Sequence, residues 1–220
     1  MPFNPLQLVG FVLVLGLLLA FVQIGILSVA FEKLGLSSHS AFVLLFASLF
    51  GSAVNLPITT VKAERPPLET IPEQLREMME QAFRKFQGKT VIAVNAGGCL
   101  IPLMFSYYLL RFNQLDPTKV IIATLIVTII SRWASRPVPG VGIGMPIFIA
   151  PITAALTAIG IDPDHSAPLA YICGTLGVLI GADLLRLSDI RKMGVPIASI
   201  GGAGTFDGIF ITGIVAVLLA

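Results

Sequence analysis

The feature that most constrains this chain is the length of its apolar runs. From Leu6 to Phe31 no charged residue occurs. A helix needs about 20 mostly apolar residues to cross roughly 30 Å of hydrocarbon. Further runs of this kind cover about Ser40–Thr60, Thr90–Leu110, Thr118–Ala134, Gly144–Ile159, Ala167–Leu187 and Pro196–Ala220. The first is too long for a signal-peptide core and has no charged leader, so it is expected to be retained. The whole chain, 1–220, therefore reads as a single integral membrane domain. The predicted fold is all-α, a polytopic transmembrane helical bundle of about seven spans.

Composition agrees with this reading. Charged residues make up 12% and hydrophobic residues 55%, and the mean hydropathy is +0.92. Soluble domains are about a quarter charged, so a soluble enzyme and a disordered chain are both excluded. The 14 basic and 12 acidic residues leave a net charge of +2, too little for a nucleic-acid surface. Cys99 and Cys173 lie inside apolar runs, so neither a disulfide framework nor a zinc site is expected. There is no H-E-x-x-H, G-x-S-x-G, Walker A, G-x-G-x-x-G or C-x-x-C-H, and no cofactor or metal is expected. His39 and His165 read as ordinary loop residues.

Cation placement predicts orientation. With seven spans, one set of loops holds Lys62, Arg65, Arg76, Arg84, Lys85, Lys89, Arg132, Arg136, Arg186, Arg191 and Lys192, and the other only Lys33, Arg111 and Lys119. That split of 11 to 3 puts the N-terminus in the cytoplasm and the C-terminus outside, in a prokaryotic-type cytoplasmic (inner) membrane. The polar stretch 62–89 is then a cytoplasmic loop. Thr70 and Glu73 have capping-box spacing. The one-sided apolar residues from Ile71 to Phe86 predict an amphipathic helix at the headgroups. Asp116-Pro117 and Asp162-Pro163 each place an N-cap acid before a first-turn proline.

Ionisable residues inside a span are costly and point to function. Two qualify, Asp183 in Gly-Ala-Asp-Leu-Leu and Asp207 in Gly-Gly-Ala-Gly-Thr-Phe-Asp-Gly. Both fall toward the inner side, if Gly201, Gly202 and Gly204 unwind the entry to the last span. Asn55, Asn95 with Gly97-Gly98, Arg132 and Arg136 sort to the same side. So does the tract Pro137–Pro146, apolar yet a poor helix, and such backbone survives at membrane depth only inside protein or beside a wet cavity. Asn55 and Asn95 read as interhelical hydrogen-bonders. Gly177 and Gly181 form a small-xxx-small pair for close helix packing, and Asp183 with Arg186 has i,i+3 ion-pair spacing.

Three segments, Asn95-Ala-Gly-Gly-Cys-Leu-Ile-Pro102, Gly181-Ala-Asp-Leu-Leu185 and Gly201-Gly-Ala-Gly-Thr-Phe-Asp-Gly208, give the chain its resemblance to a bacterial and archaeal membrane-protein family known as domain of unknown function number 1614. That resemblance implies no activity. In placement, Asp183 and Asp207 also resemble the two aspartates of presenilin and signal-peptide-peptidase-type intramembrane aspartyl proteases. Phe206 and Ala182 stand where those proteins have glycine and tyrosine. Their proline motif follows the second aspartate, whereas Pro137–Pro146 precedes both.

Two carboxyls sharing a site divide acid and base roles. The leading expectation is an intramembrane aspartyl hydrolase with Asp183 and Asp207 as the pair. Asn95, Gly97, Gly98 and Gly204 would line the path of a membrane-embedded peptide. The alternative is a small ion-coupled transporter in which Asp207 binds the ion and Arg132 meets an anionic solute. A third is a noncatalytic membrane scaffold. Membrane lipid is the expected partner in every case, and nucleic acid in none.

Overall fold

In a computed structural model, the structure describes residues 10–11, 13–17, 26–64, 86, 88–139, 142–202 and 208–220. Helices dominate: α1 (Ile26–Lys33), α2 (Ser38–Gly51), α3 (Ile101–Phe112), α4 (Pro117–Ala134), α5 (Ile149–Ile161), α6 (Ser166–Val178) and α7 (Gly208–Leu219). Wide π-type turns precede α3 (Ala96–Leu100) and extend α6 (Leu179–Asp183). Two helical stretches among the described residues are long and apolar enough to cross a membrane, Pro117–Ala134 and Pro163–Arg186. Ser38–Gly51, Ala96–Phe112 and Ile149–Ile161 are apolar but shorter.

The chain is not all-α, which corrects the sequence expectation. Strands β1 (Asn55–Lys62), β2 (Lys89–Asn95) and β5 (Ile197–Ile200) form a sheet in the order β1-β2-β5. β1 runs antiparallel to β2, with Asn55 opposite Asn95 and Lys62 opposite Lys89. β2 runs parallel to β5, with Val91 opposite Ile197. The physical reason lies in Ile58-Thr59-Thr60-Val61 and Thr90-Val91-Ile92, branched side chains that fit a pleated surface better than a helix. Three predicted spans therefore begin or end as strand: Ser40–Thr60 holds α2 and most of β1, Thr90–Leu110 most of β2 and α3, and Pro196–Ala220 β5 and α7. The 62–89 loop joins two paired strands, and Ala63 N–H donates to Gly88 O at 3.0 Å across its base. The amphipathic helix expected there lies outside the described residues. The Pro137–Pro146 tract is non-helical, as expected. Part of it forms a hairpin of β3 (Arg136–Val138) and β4 (Gly142–Gly144).

α6 is the central helix. Leu169, Ala170, Tyr171, Ile172 and Cys173 are all buried, and α3, α4, α5 and α7 pack around it. The Tyr171 ring meets Phe105 of α3 edge-on at 4.9 Å. The small-xxx-small pair works as expected. A Cβ on Gly177 would fall 2.6 Å from Val127 Cβ, and one on Gly181 would fall 2.4 Å from Thr128 O, so α4 can approach only because both positions lack a side chain. The outward face of α4 is as apolar as its inner face, with Ile121, Leu125, Ile129 and Trp133 exposed at four-residue intervals.

The ends of α4 are held by polar groups. Asp116 caps its start, accepting the Thr118 N–H at 2.8 Å, and Pro117 opens the first turn. Asp162 departs from its expected capping role, since its side chain makes no cap bond to the turn that follows. Its buried carboxylate instead pairs with Lys119 at 3.2 Å and His165 at 3.5 Å. Burial pushes this carboxyl up, but hydrogen bonds from Lys119 and His165 and their charges outweigh it and hold the group below the ordinary carboxylate value. The pair ties the first turn of α4 to the α5–α6 connection.

Candidate functional site

The site builds outward from Asn95, the last residue of β2 and the cap of the π-type turn that follows. Its side chain is fully buried and completely engaged. Asn95 Oδ1 accepts the Gly98 N–H at 2.7 Å, while Nδ2 donates to Ser52 O at 2.7 Å and to Asn55 Oδ1 at 3.0 Å. Ser199 of β5 donates to the same Asn55 oxygen at 2.5 Å. The two asparagines thus join three strands of a sheet. This corrects their reading as bonds between helices, because both stand at strand ends.

Two glycines follow because no side chain fits. A Cβ on Gly97 would lie 1.9 Å from Ser48 O, and one on Gly98 would lie 1.8 Å from Gly201 O. Ser48 Oγ also donates to Gly97 O at 2.7 Å. Gly201 has φ +84°, a left-handed conformation that favours glycine, and a Cβ there would meet Cys99 N at 2.6 Å. The end of α2, the start of α3 and the exit of β5 therefore cross in backbone contact.

Asp183 reaches this crossing from α6. It closes the π-type turn, is half-buried, and accepts the Gly201 N–H on Oδ2 at 2.7 Å. One acid is thereby fastened to the chain six residues before the other. Asp207 and Gly204 lie outside the described residues. The structure brings together Asp183, Asn95, Gly97 and Gly98 through Gly201. Arg132 stands nearby at the end of α4, where its backbone N would be 3.1 Å from a Cβ on Gly181.

Arg186 has a role that its sequence position did not reveal. Its Nη1 pairs with Asp189 at 3.1 Å, so its i,i+3 partner follows it, rather than being Asp183 as the spacing allowed. Its Nη2 donates to Arg132 O at 2.9 Å and to Ser135 O, and Nε donates to Ser135 Oγ at 3.2 Å. One guanidinium therefore closes the C-terminus of α4, where carbonyls lack helical partners. The only sequence signal was a cation in an otherwise apolar helix end. Ser199 and Ser48 carry no signal in the sequence either, being ordinary hydroxyls until the fold places them.

Among the described residues no group of three or more His, Cys, Asp or Glu side chains is arranged to hold a metal ion. No curated protein and no solved structure matches the chain. Residues 49–219 match the family described as protein of unknown function (DUF1614). The matched region contains the whole Asn95–Gly201–Asp183 crossing, and the chain belongs to that family.

Proposed function

We propose that this protein is a multi-pass membrane hydrolase of the aspartyl type, acting on an extended peptide at the inner end of its helices. The observation that carries the proposal is the Gly201 N–H bond to Asp183 Oδ2. It holds Gly201, six residues before Asp207 in the sequence, against the first acid. Two carboxyls brought close ionise one at a time. The ionised one takes a proton from water as the water oxygen attacks the peptide carbonyl carbon. The protonated one gives its proton to the carbonyl oxygen. As the resulting gem-diol collapses, the C–N bond breaks, the carboxyl that took the water proton gives it to the leaving amine nitrogen, and the other carboxylate takes a proton from a gem-diol hydroxyl, leaving a carboxylic acid and restoring the starting pair.

Two further features support the reading. β5 ends at Ile200, immediately before Gly201, and among the described residues it is an edge strand of its sheet. An edge strand offers backbone groups to an extended peptide, and β5 would deliver one toward Asp183. The exposed apolar face of α4, with Trp133 near its end, is what lipid contact requires. Seven spans in the cytoplasmic membrane, with the N-terminus inside, remain part of this proposal. In it, Asn95, Gly97 and Gly98 shape the floor of the site, and Gly204 and Arg132 border it.

The test is cleavage of a membrane-embedded test peptide by the full chain in vesicles. Asp183→Asn keeps an oxygen for the Gly201 N–H, so folding should survive while cleavage is lost, and Asp207→Asn should behave alike. Cleavage unchanged in either variant rejects the hydrolase. Gradient-driven solute flux abolished by Asp207→Asn, without peptide cleavage, would establish the transporter instead.

A further inference from the structure

At the end of the β1–β2 hairpin away from Asn95, three separate segments bring cations to one cleft. Lys62 and Lys89 are opposite one another across the strands. Arg191 comes from the short helical turn Asp189–Lys192, which is fastened to the hairpin by the Glu64 N–H bond to Arg191 O at 2.8 Å. These residues, with Ala63, Glu64 and Gly88, line a cavity of about 470 Å³. Like charges facing each other across strands are unfavourable. Among the described residues no carboxylate lies within ion-pairing distance of Lys62, Lys89, Arg191 or the adjacent Lys192. Among the described residues the lining holds three cations, Lys62, Lys89 and Arg191, against the carboxylate of Glu64, an excess that a bound anion would neutralise.

We infer that this cleft binds the phosphate of an anionic lipid headgroup. Lys and Arg close to a bilayer surface favour anionic lipid by about 1 kcal/mol each. On the same sheet Ile197 is exposed opposite Val91, two residues along β2 from Lys89, so an acyl-bearing ligand finds apolar surface beside the cations, whereas a free anion gains nothing from it. The side chains involved are exposed, and the bridge from Glu64 to Arg191 that shapes the cleft is made by backbone atoms. The cations can therefore be changed without removing the bond that positions them. This site is separate from the Asp183 crossing, and its occupancy is independent of any peptide chemistry there.

The test measures binding of short-chain phosphatidylglycerol to the purified full chain in neutral detergent, by native mass spectrometry and thermal shift. Short-chain phosphatidylcholine and inorganic phosphate serve as the two comparison ligands. Phosphatidylglycerol is expected to bind the wild type. The triple variant Lys62→Gln, Lys89→Gln, Arg191→Gln should weaken that binding by about a hundredfold. Lys62→Arg with Lys89→Arg should keep it within about threefold, since charge is retained. Should the triple variant fail to fold, Arg191→Gln alone is expected to weaken binding about fivefold. Unchanged binding in the charge-removing variants overturns the site. Equal binding of phosphatidylcholine overturns its anion selectivity. Equal protection by inorganic phosphate overturns the lipid as occupant and leaves a free-anion site.

Discussion

Gly98 is the residue whose replacement says most about the crossing of chains. Its missing side chain leaves room for Gly201 O, which a Cβ would approach to 1.8 Å. Overpacking of this kind costs about 1–3 kcal/mol or more, and the contact here is with backbone, which cannot rotate away. Gly98→Ala should therefore lower the unfolding midpoint in detergent by an amount equivalent to about 3 kcal/mol, or prevent folding. Gly160, which has nothing near its Cβ direction, should accept alanine. Equal midpoints for the two variants would contradict the packing described. Asp162 gives a second test, through pH. Its folded-state carboxyl is held below the ordinary value, so the unfolded chain binds its proton more readily as pH falls. The stability it contributes is thus fully present above the ordinary carboxylate range and is lost on acidification through the folded-state value. Melting midpoints taken from pH 7 down to pH 3 should fall less steeply in Asp162→Asn than in wild type. Parallel curves would remove the ion pair from the account. The acid's position was legible in Asp162-Pro163, but its partner was not. Lys119 lies 43 residues earlier in the chain, and only the packing of α4 against the α5–α6 turn brings the two together.

Helix and strand ends show where reading from sequence stopped. The start of α4 was plain from Asp116-Pro117, because a cap acts within a few residues of its own position. The sheet was not plain, because its strands continue apolar runs without a break. Periodicity cannot separate a short buried strand from a helix inside such a run. Pro57 and the branched residues after it were the available signal. The non-helical character of Pro137–Pro146 was readable, since proline and glycine act locally. Closure of α4 by Arg186 depends on a fork of donors that lysine lacks. Arg186→Lys should thus be nearly as harmful as Arg186→Ala, each costing about 1–3 kcal/mol. Hydrogen exchange at the amides of residues 131–135 reads the effect directly. Faster exchange in both variants is expected, and wild-type protection in Arg186→Lys would contradict it.

At the scale of the whole molecule, a helical body carries a small sheet at one end, with Asn95, Gly201 and Asp183 where the two meet. In the proposed topology, which the apolar outer face of α4 and the distribution of cations support, the sheet faces the cytoplasm. Single cysteines introduced at Lys62 and at Asn113, in a chain lacking Cys99 and Cys173, test this with an impermeant thiol reagent. Position 62 should be labelled only from the cytoplasmic side and position 113 only from the outside. Labelling of both from one side would overturn the arrangement. The proposed hydrolysis requires a closer relation, that of Asp183 to Asp207. The most direct measurement is disulfide formation in membranes by Asp183→Cys with Asp207→Cys, in the same cysteine-free background. Bridging requires Cα atoms within about 7 Å. Rapid, near-complete bridging is the predicted result, and failure to bridge in a chain that folds and still binds lipid would contradict the shared acid site.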